Sequence, residues 1–289
     1  MAESIKFEDE YQNEMCCCLK VMSSYIPVLE TMQSNQLKTI LKMIKIKWTA
    51  VILLVVVSIN FTACKKEPLR LENPLNGRTT AVFNPNKTYG TVTDIDGNTY
   101  KTIKIGDQVW MAENLRTTHY RNGNAIPNVT EDSIWGSQET GAYCNYNNTE
   151  DLDTIATYGR LYNWYAVNDS RGLAPKGWHV PDINDWLILI DYLGGDTIAS
   201  KHLKEAGDLH WVRYNEADNS SGFTALPGGW RYLSEKTIKI SFYGAWWVST
   251  EYNSSSAAFL DLFVYDTKVW KGFNYKQNGY SVRCIKDKN

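Results

Sequence analysis

The sequence predicts an α+β domain, with short strands at both ends, helices between them and long loops. Three observations predict it. Strand-type runs separated by Gly, Asn and Ser turns open and close the stretch from residue 89 to residue 289. Apolar residues at helical spacing occupy its middle. The order is strands, helices, strands, which is not the alternation a parallel βαβ sheet requires.

Residues 1–42 stand ahead of any recognisable element. Met43 directly precedes IKIKW, where a secretory signal would normally begin. Residues 1–42 are therefore expected to be an over-extended leader, with translation starting at Met43. The three adjacent Cys16, Cys17 and Cys18 lack the spacing of a zinc site and receive no role. Residues 43–63 follow as a signal peptide. Lys45 and Lys47 flank the uncharged apolar run Trp48–Ile59, and Ala63 is a small residue before Cys64. The end of the run resembles the lipobox of bacterial lipoproteins, although Phe61 stands where Leu is usual. That resemblance implies a diacylglycerol on the Cys64 thiol and cleavage before it. The competing reading is an uncleaved membrane helix over Ile44–Ala63, at about 20 residues long enough to span a bilayer. Both readings carry residues beyond 64 across the membrane.

Residues 64–88 contain Pro68, Pro74 and Pro85 without apolar periodicity, and read as a flexible tether. The domain at 89–289 opens with TVTDIDGNTYKTIKIG. Asp96-Gly97 between strand-type runs predicts a hairpin, and Gly106-Asp107 a second turn into QVWMAENL. Asp94, Asp96 and Asn98 superficially match a calcium loop, but Ile105 stands where an EF-hand requires its closing Glu. In the middle, GRLYNWYAV has helical spacing. Asp182 is placed to cap a helix whose Trp186, Leu189, Ile190 and Leu193 share one face and which Gly194 ends. A short helix is expected from Ile198 to Ala206. AWWVST, AAFLDLFVY, KVWKGF and YSVRCIK then return to strands.

Six phrases in order resemble one family, the Fibrobacter succinogenes major paralogous domain found in lipoproteins of Bacteroidota and Fibrobacterota. They are IGDQVWMAENLR (Ile105–Arg116), GRLYNWYAV (Gly159–Val167), PKGWHVPDINDW (Pro175–Trp186), GFTALPGGWR (Gly222–Arg231), WWVSTE (Trp246–Glu251) and YSVRCIKD (Tyr280–Asp287). The resemblance implies a C-type-lectin-like fold and an address in the cell envelope, as an outer-membrane lipoprotein facing the periplasm or the surface. It implies no catalytic residues.

The chemistry legible in the chain favours binding. A net charge of -2 gives no footprint for nucleic acid. His119, His179, His202 and His210 form no HExxH or other close ligand pair, and no nucleophile elbow or phosphate loop is present, so neither metal nor cofactor is expected. Cys144 and Cys284, the only Cys beyond Cys64, are expected to form a disulfide in an exported domain. The chain carries 11 Trp and 18 Tyr, the side chains that pack cores and stack on sugars. Trp230, Trp246, Trp247 and Trp270 are the candidate ligand-binding residues. Neighbours on a strand point to opposite faces, so Trp246 and Trp247 cannot share one core layer. The expected function is a lipid-anchored, non-catalytic module for glycan, polymer or envelope protein. The alternative is an exported hydrolase whose carboxylates no motif marks.

Overall fold

The computed structural model describes residues 42, 43, 45, 73–212, 215–233, 237–238 and 240–288. The chain divides into two units, Met1–Arg70 and Leu71–Asn289. The first contributes only helical Lys42, Met43 and Lys45, so Cys64, the rest of the signal peptide and nearly all of the leader lie outside the described residues. Among the described residues no helix is long and apolar enough to cross a membrane.

The second unit is α+β with antiparallel sheets. Strands β1 (Gly90–Thr93), β2 (Thr99–Ile105) and β3 (Gln108–Met111) form a meander. The predicted hairpin turn is held by Asp94, whose Oδ1 accepts from the amides of Asp96 and Asn98, both at 2.9 Å, while Gly97 supplies a φ of 79°. Asp94 Oδ2 accepts from Asn98 Nδ2 and the Tyr100 hydroxyl, so these oxygens serve the turn. Short elements follow: α1 (Asp132–Gly136), β4 (Tyr143–Cys144), α2 (Leu152–Tyr158), β5 (Leu161–Tyr162) and α3 (Trp164–Val167). The helix expected across GRLYNWYAV is thus only its last turn. Asn163 caps it by accepting from the Ala166 amide, which leaves Leu161 and Tyr162 free to pair with β4.

β6 (Trp178–His179) leads into α4 (Ile183–Tyr192) and α5 (Ala199–Leu203). Asp182 and Asp185 close a reciprocal capping box at the start of α4, and Trp186, Leu189 and Ile190 form its buried face. The last third holds the small hairpin β7 (Trp230–Arg231) and β8 (Thr237–Ile238), then the long strands β9 (Tyr243–Glu251), β10 (Ser256–Phe263) and β11 (Val269–Tyr275). β12 (Ile285–Lys286) inserts between β3 and β6, giving the order β1-β2-β3-β12-β6 and joining the two ends of the domain.

The second sheet, β11-β10-β9, separates two cores. One face sends Trp246, Val248, Leu260 and Leu262 into a cluster with Trp186 and Leu189 of α4. The other sends Ala245, Trp247 and Ala257 against Tyr162, Trp164, Tyr280 and Val282. Asn114 ties the layers together. Its Oδ1 accepts from Trp246 Nε1 at 2.9 Å and Arg283 Nε at 3.0 Å, and its Nδ2 donates to the Tyr158 carbonyl at 2.9 Å. Arg283 is fully buried and makes no salt bridge among the described residues. It donates to the carbonyls of Phe223 and Thr224 and lies over the Phe223 ring, while burial pulls its pKa down.

Two expectations are corrected. Residues 73–88, read as part of a flexible tether, are fastened to the domain. Asn73 Nδ2 donates to the Asp96 carbonyl, Asn76 Nδ2 to the Gly97 carbonyl, and the Val82 amide to Glu205 Oε1. Polar contacts and the isolated apolar anchors Leu75 and Phe83, rather than a periodic apolar face, hold this segment, so a hydropathy pattern does not register it. The expected disulfide is also absent, because Cys144 and Cys284 are both free and buried. Cys144 packs with Trp135, Ala142 and Leu161, whereas Cys284 belongs to the cluster of Met111, Tyr162 and Val282. Burial pushes the Cys144 thiol up to about 11 and the Cys284 thiol higher still.

Candidate functional site

The four tryptophans proposed for ligand contact separate in the structure. Trp246 and Trp247 are fully buried on opposite faces of the second sheet, so neither ring can meet a ligand. The Trp247 indole donates to the Tyr162 carbonyl at 2.8 Å, and that of Trp246 to Asn114. Trp270 on β11 is 48% exposed. Its indole donates to Asp266 Oδ2 at 3.0 Å, and the Lys268 ammonium lies 4.3 Å from its ring centroid. Trp230 is partly buried and stands edge-on to Tyr243, with centroids 4.9 Å apart.

Trp270 and Trp230 border a recess on the Trp247 face of the sheet. Cross-strand register builds it. Tyr243 opposes Phe263, Ala245 opposes Asp261, and Trp247 opposes Phe259, while on the other flank Asp261 opposes Trp270 and Phe259 opposes Gly272. Directly opposed residues share a face, as do residues two apart. Asp261 therefore lies between Phe259 and Phe263, with Trp270 on its outer side and small Ala245 on its inner side. Phe259 stacks on Tyr280 at 5.2 Å, and Phe263 on Tyr243 at 4.5 Å. These two pairs are the walls. Ala245 and Gly272 keep the floor low, and a Cβ at Gly272 would meet the Phe259 ring at 3.0 Å.

The polar groups here are under-satisfied. Seven buried side-chain atoms lack a hydrogen-bond partner among the described residues, and three belong to this neighbourhood: Asp261 Oδ1 and both amide atoms of Asn278. Asn278 is fully buried beside Tyr280, whose hydroxyl accepts from Asn274 Nδ2 at 2.8 Å. Burial raises the Tyr280 pKa, and the adjacent Asn278 amide partly offsets that. Desolvation alone pushes Asp261 up to about 6. No ion pair engages it among the described residues. A half-buried strand carboxylate with no partner costs stability, and such groups concentrate at functional sites.

Sequence reasoning missed Asp261, although a signal was present. In AAFLDLF the residues on one strand face are Ala257, Phe259, Asp261 and Phe263, so an acid interrupts an aromatic face. Nothing in YKQNGY marks Asn278, which reads as an ordinary turn residue.

Two other clusters carry chemistry-bearing groups. His210 Nδ1 lies 2.7 Å from Glu205 Oε2 and its Nε2 lies 2.9 Å from Thr80 Oγ1, an order of carboxylate, imidazole and hydroxyl that no motif announced. The Thr80 amide and hydroxyl both bond Thr157 Oγ1, so this cluster fastens the segment before β1. Lys204 borders a cleft of about 210 Å³. Burial pushes it down to about 8, but its ammonium donates to the carbonyls of Phe263, Val264 and Asp266 and is not free to act as a nucleophile. Among the described residues no group of three His, Cys, Asp or Glu could hold a metal ion.

Antiparallel sheets, few helices and a partly exposed aromatic strand face that carries an acid with no ion-pair partner among the described residues define an α+β module. Residues 103–286 match the Fibrobacter succinogenes major domain, and the chain belongs to that family. No curated protein and no solved structure matches the chain.

Proposed function

We propose that this protein is a lipid-anchored, non-catalytic module that binds glycan at the cell envelope through the recess around Asp261. The observation that carries the reading is the pairing of aromatic rings with an unsatisfied carboxylate on the partly exposed face of β10. Ring faces stack on the C–H faces of a sugar, while a carboxylate and an amide bond its hydroxyls. Phe259 and Phe263 are four residues apart on β10, about 13 Å along the strand, and Asp261 stands between them on the same face. The C-type-lectin-like fold, the lipid on Cys64 and the outer-membrane address belong to the same proposal. They rest on the family's phrases and on the run ending in Ala63-Cys64. The partners are then the membrane, through the lipid, and an envelope glycan.

Polysaccharide pull-down with purified protein tests the reading. Trp270→Ala is expected to abolish retention and leave the unfolding midpoint unchanged, whereas Trp247→Ala should lower the midpoint. Retention unaffected by Trp270→Ala would contradict it. The hydrolase reading draws on the Thr80–His210–Glu205 arrangement, and turnover of a defined glycan lost in His210→Ala would establish it instead.

A further inference from the structure

A site for neutral sugar hydroxyls does not require an unpaired negative charge, yet this recess holds one. The more deeply buried acids elsewhere are compensated. Glu113 pairs with Arg116, Glu205 with His210, and Asp94 accepts from Tyr100 and Asn98. Asp261 differs in that Oδ1 is shut off from solvent and has no donor among the described residues. The groups facing it are Phe259 and Phe263 on its own strand, Ala245 from β9, Trp270 from β11 and Tyr280 from the segment after β11. The titratable one is Tyr280, which burial keeps protonated. None of these described residues is itself cationic, although the Lys268 ammonium lies over the Trp270 ring.

The rings add to the same preference. An aromatic face carries negative charge density and attracts a cation within about 6 Å of its centroid. Trp270 already holds the Lys268 ammonium in this way. A carboxylate between Phe259 and Phe263, bordered by Trp270, is complementary to an ammonium group. A ligand ammonium would supply the counter-charge that Asp261 lacks among the described residues. A uronic acid would meet like charge without compensation.

Resting on the glycan reading of this recess, we propose that the sugar it selects carries a free amino group, bound as the ammonium ion with Asp261 as its counter-ion. Binding then requires Asp261 ionised, and weakens as pH falls through its raised pKa of about 6.

The test is calorimetric titration of the purified full-length protein with glucosamine oligomers and with their N-acetylated counterparts at pH 6.5. The free-amine oligomer is expected to bind roughly tenfold more tightly, the difference one desolvated ion pair with ring contacts provides. Asp261→Asn should erase that preference, and lowering the pH to 5 should reduce binding of the amine oligomer by wild type but not by Asp261→Asn. An NMR titration of the ligand-free protein should place Asp261 near pH 6. A depressed value would mean that a cation of the chain already fills the recess, and would overturn the inference. Equal, Trp270-dependent binding of both oligomers would overturn the ammonium preference and leave glycan binding intact. Binding of neither would remove both.

Discussion

Replacing Asp261 by Asn should make the ligand-free protein more stable at neutral pH. The substitution keeps shape and removes charge. In the folded state desolvation moves the carboxyl from its ordinary value of 3.8 to about 6. At about 1.4 kcal/mol per pH unit, that displacement corresponds to about 3 kcal/mol at most, and on the order of 1–3 kcal/mol once solvent relaxation at a partly open site is allowed for. The direction follows from proton binding. Between pH 3.8 and 6 the folded state holds the proton more tightly than the unfolded chain, so wild-type stability falls as pH rises through that window. Asp261→Asn escapes the fall. Urea denaturation at pH 4, 5, 6 and 7.5 should therefore show a gap between variant and wild type that is small at pH 4, grows to pH 6 and is then constant. A gap independent of pH, or a variant less stable than wild type at pH 7.5, would refute the reasoning. A residue whose removal stabilises the fold yet erases a ligand preference is retained for function.

Other outcomes follow from the same contacts. Asn114→Ala removes the shared acceptor of Trp246 and Arg283, leaving two buried donors unpaired, and should cost about 3–5 kcal/mol by chemical denaturation. Trp247→Ala should cost a similar amount, about 3–5 kcal/mol, because the indole is fully buried, whereas Trp270→Ala should change stability by less than about 1 kcal/mol. Iodoacetamide should label neither Cys144 nor Cys284 in the native protein and both after denaturation without reductant, and a cross-linked Cys144–Cys284 peptide would contradict the free thiols. Cys64→Ala should move the protein from the membrane to the soluble fraction, and unchanged membrane retention would count against lipidation there.

The strand-helix-strand order was legible because each element obeys a local rule. Asp96-Gly97 makes its hairpin, Asp182 caps α4, and Trp186, Leu189 and Ile190 fall at helical spacing on the buried face. Trp246-Trp247 shows where local rules stop. Alternation correctly assigned the two rings to opposite faces, but whether the second face is covered depends on Tyr162, Trp164 and Tyr280, which are distant in sequence. The cysteines mislead for a related reason. Export and pairing arithmetic favour a bridge, while tertiary packing places the thiols in separate apolar clusters. The recess itself was half legible. Trp270 and Trp230 border it, Asp261 betrayed itself only as an acid on an aromatic strand face, and Asn278 gave no local sign.

The most direct test of the recess as the binding site is heteronuclear NMR of the protein titrated with an amino-sugar oligomer. Resonances of Tyr243, Phe259, Asp261, Phe263 and Trp270 should shift together along one isotherm, while the indole N–H signals of Trp246 and Trp247 stay in place. Shifts centred on Thr80, His210 and Glu205, or on the Lys204 cleft, with the Asp261 neighbourhood unchanged, would contradict it.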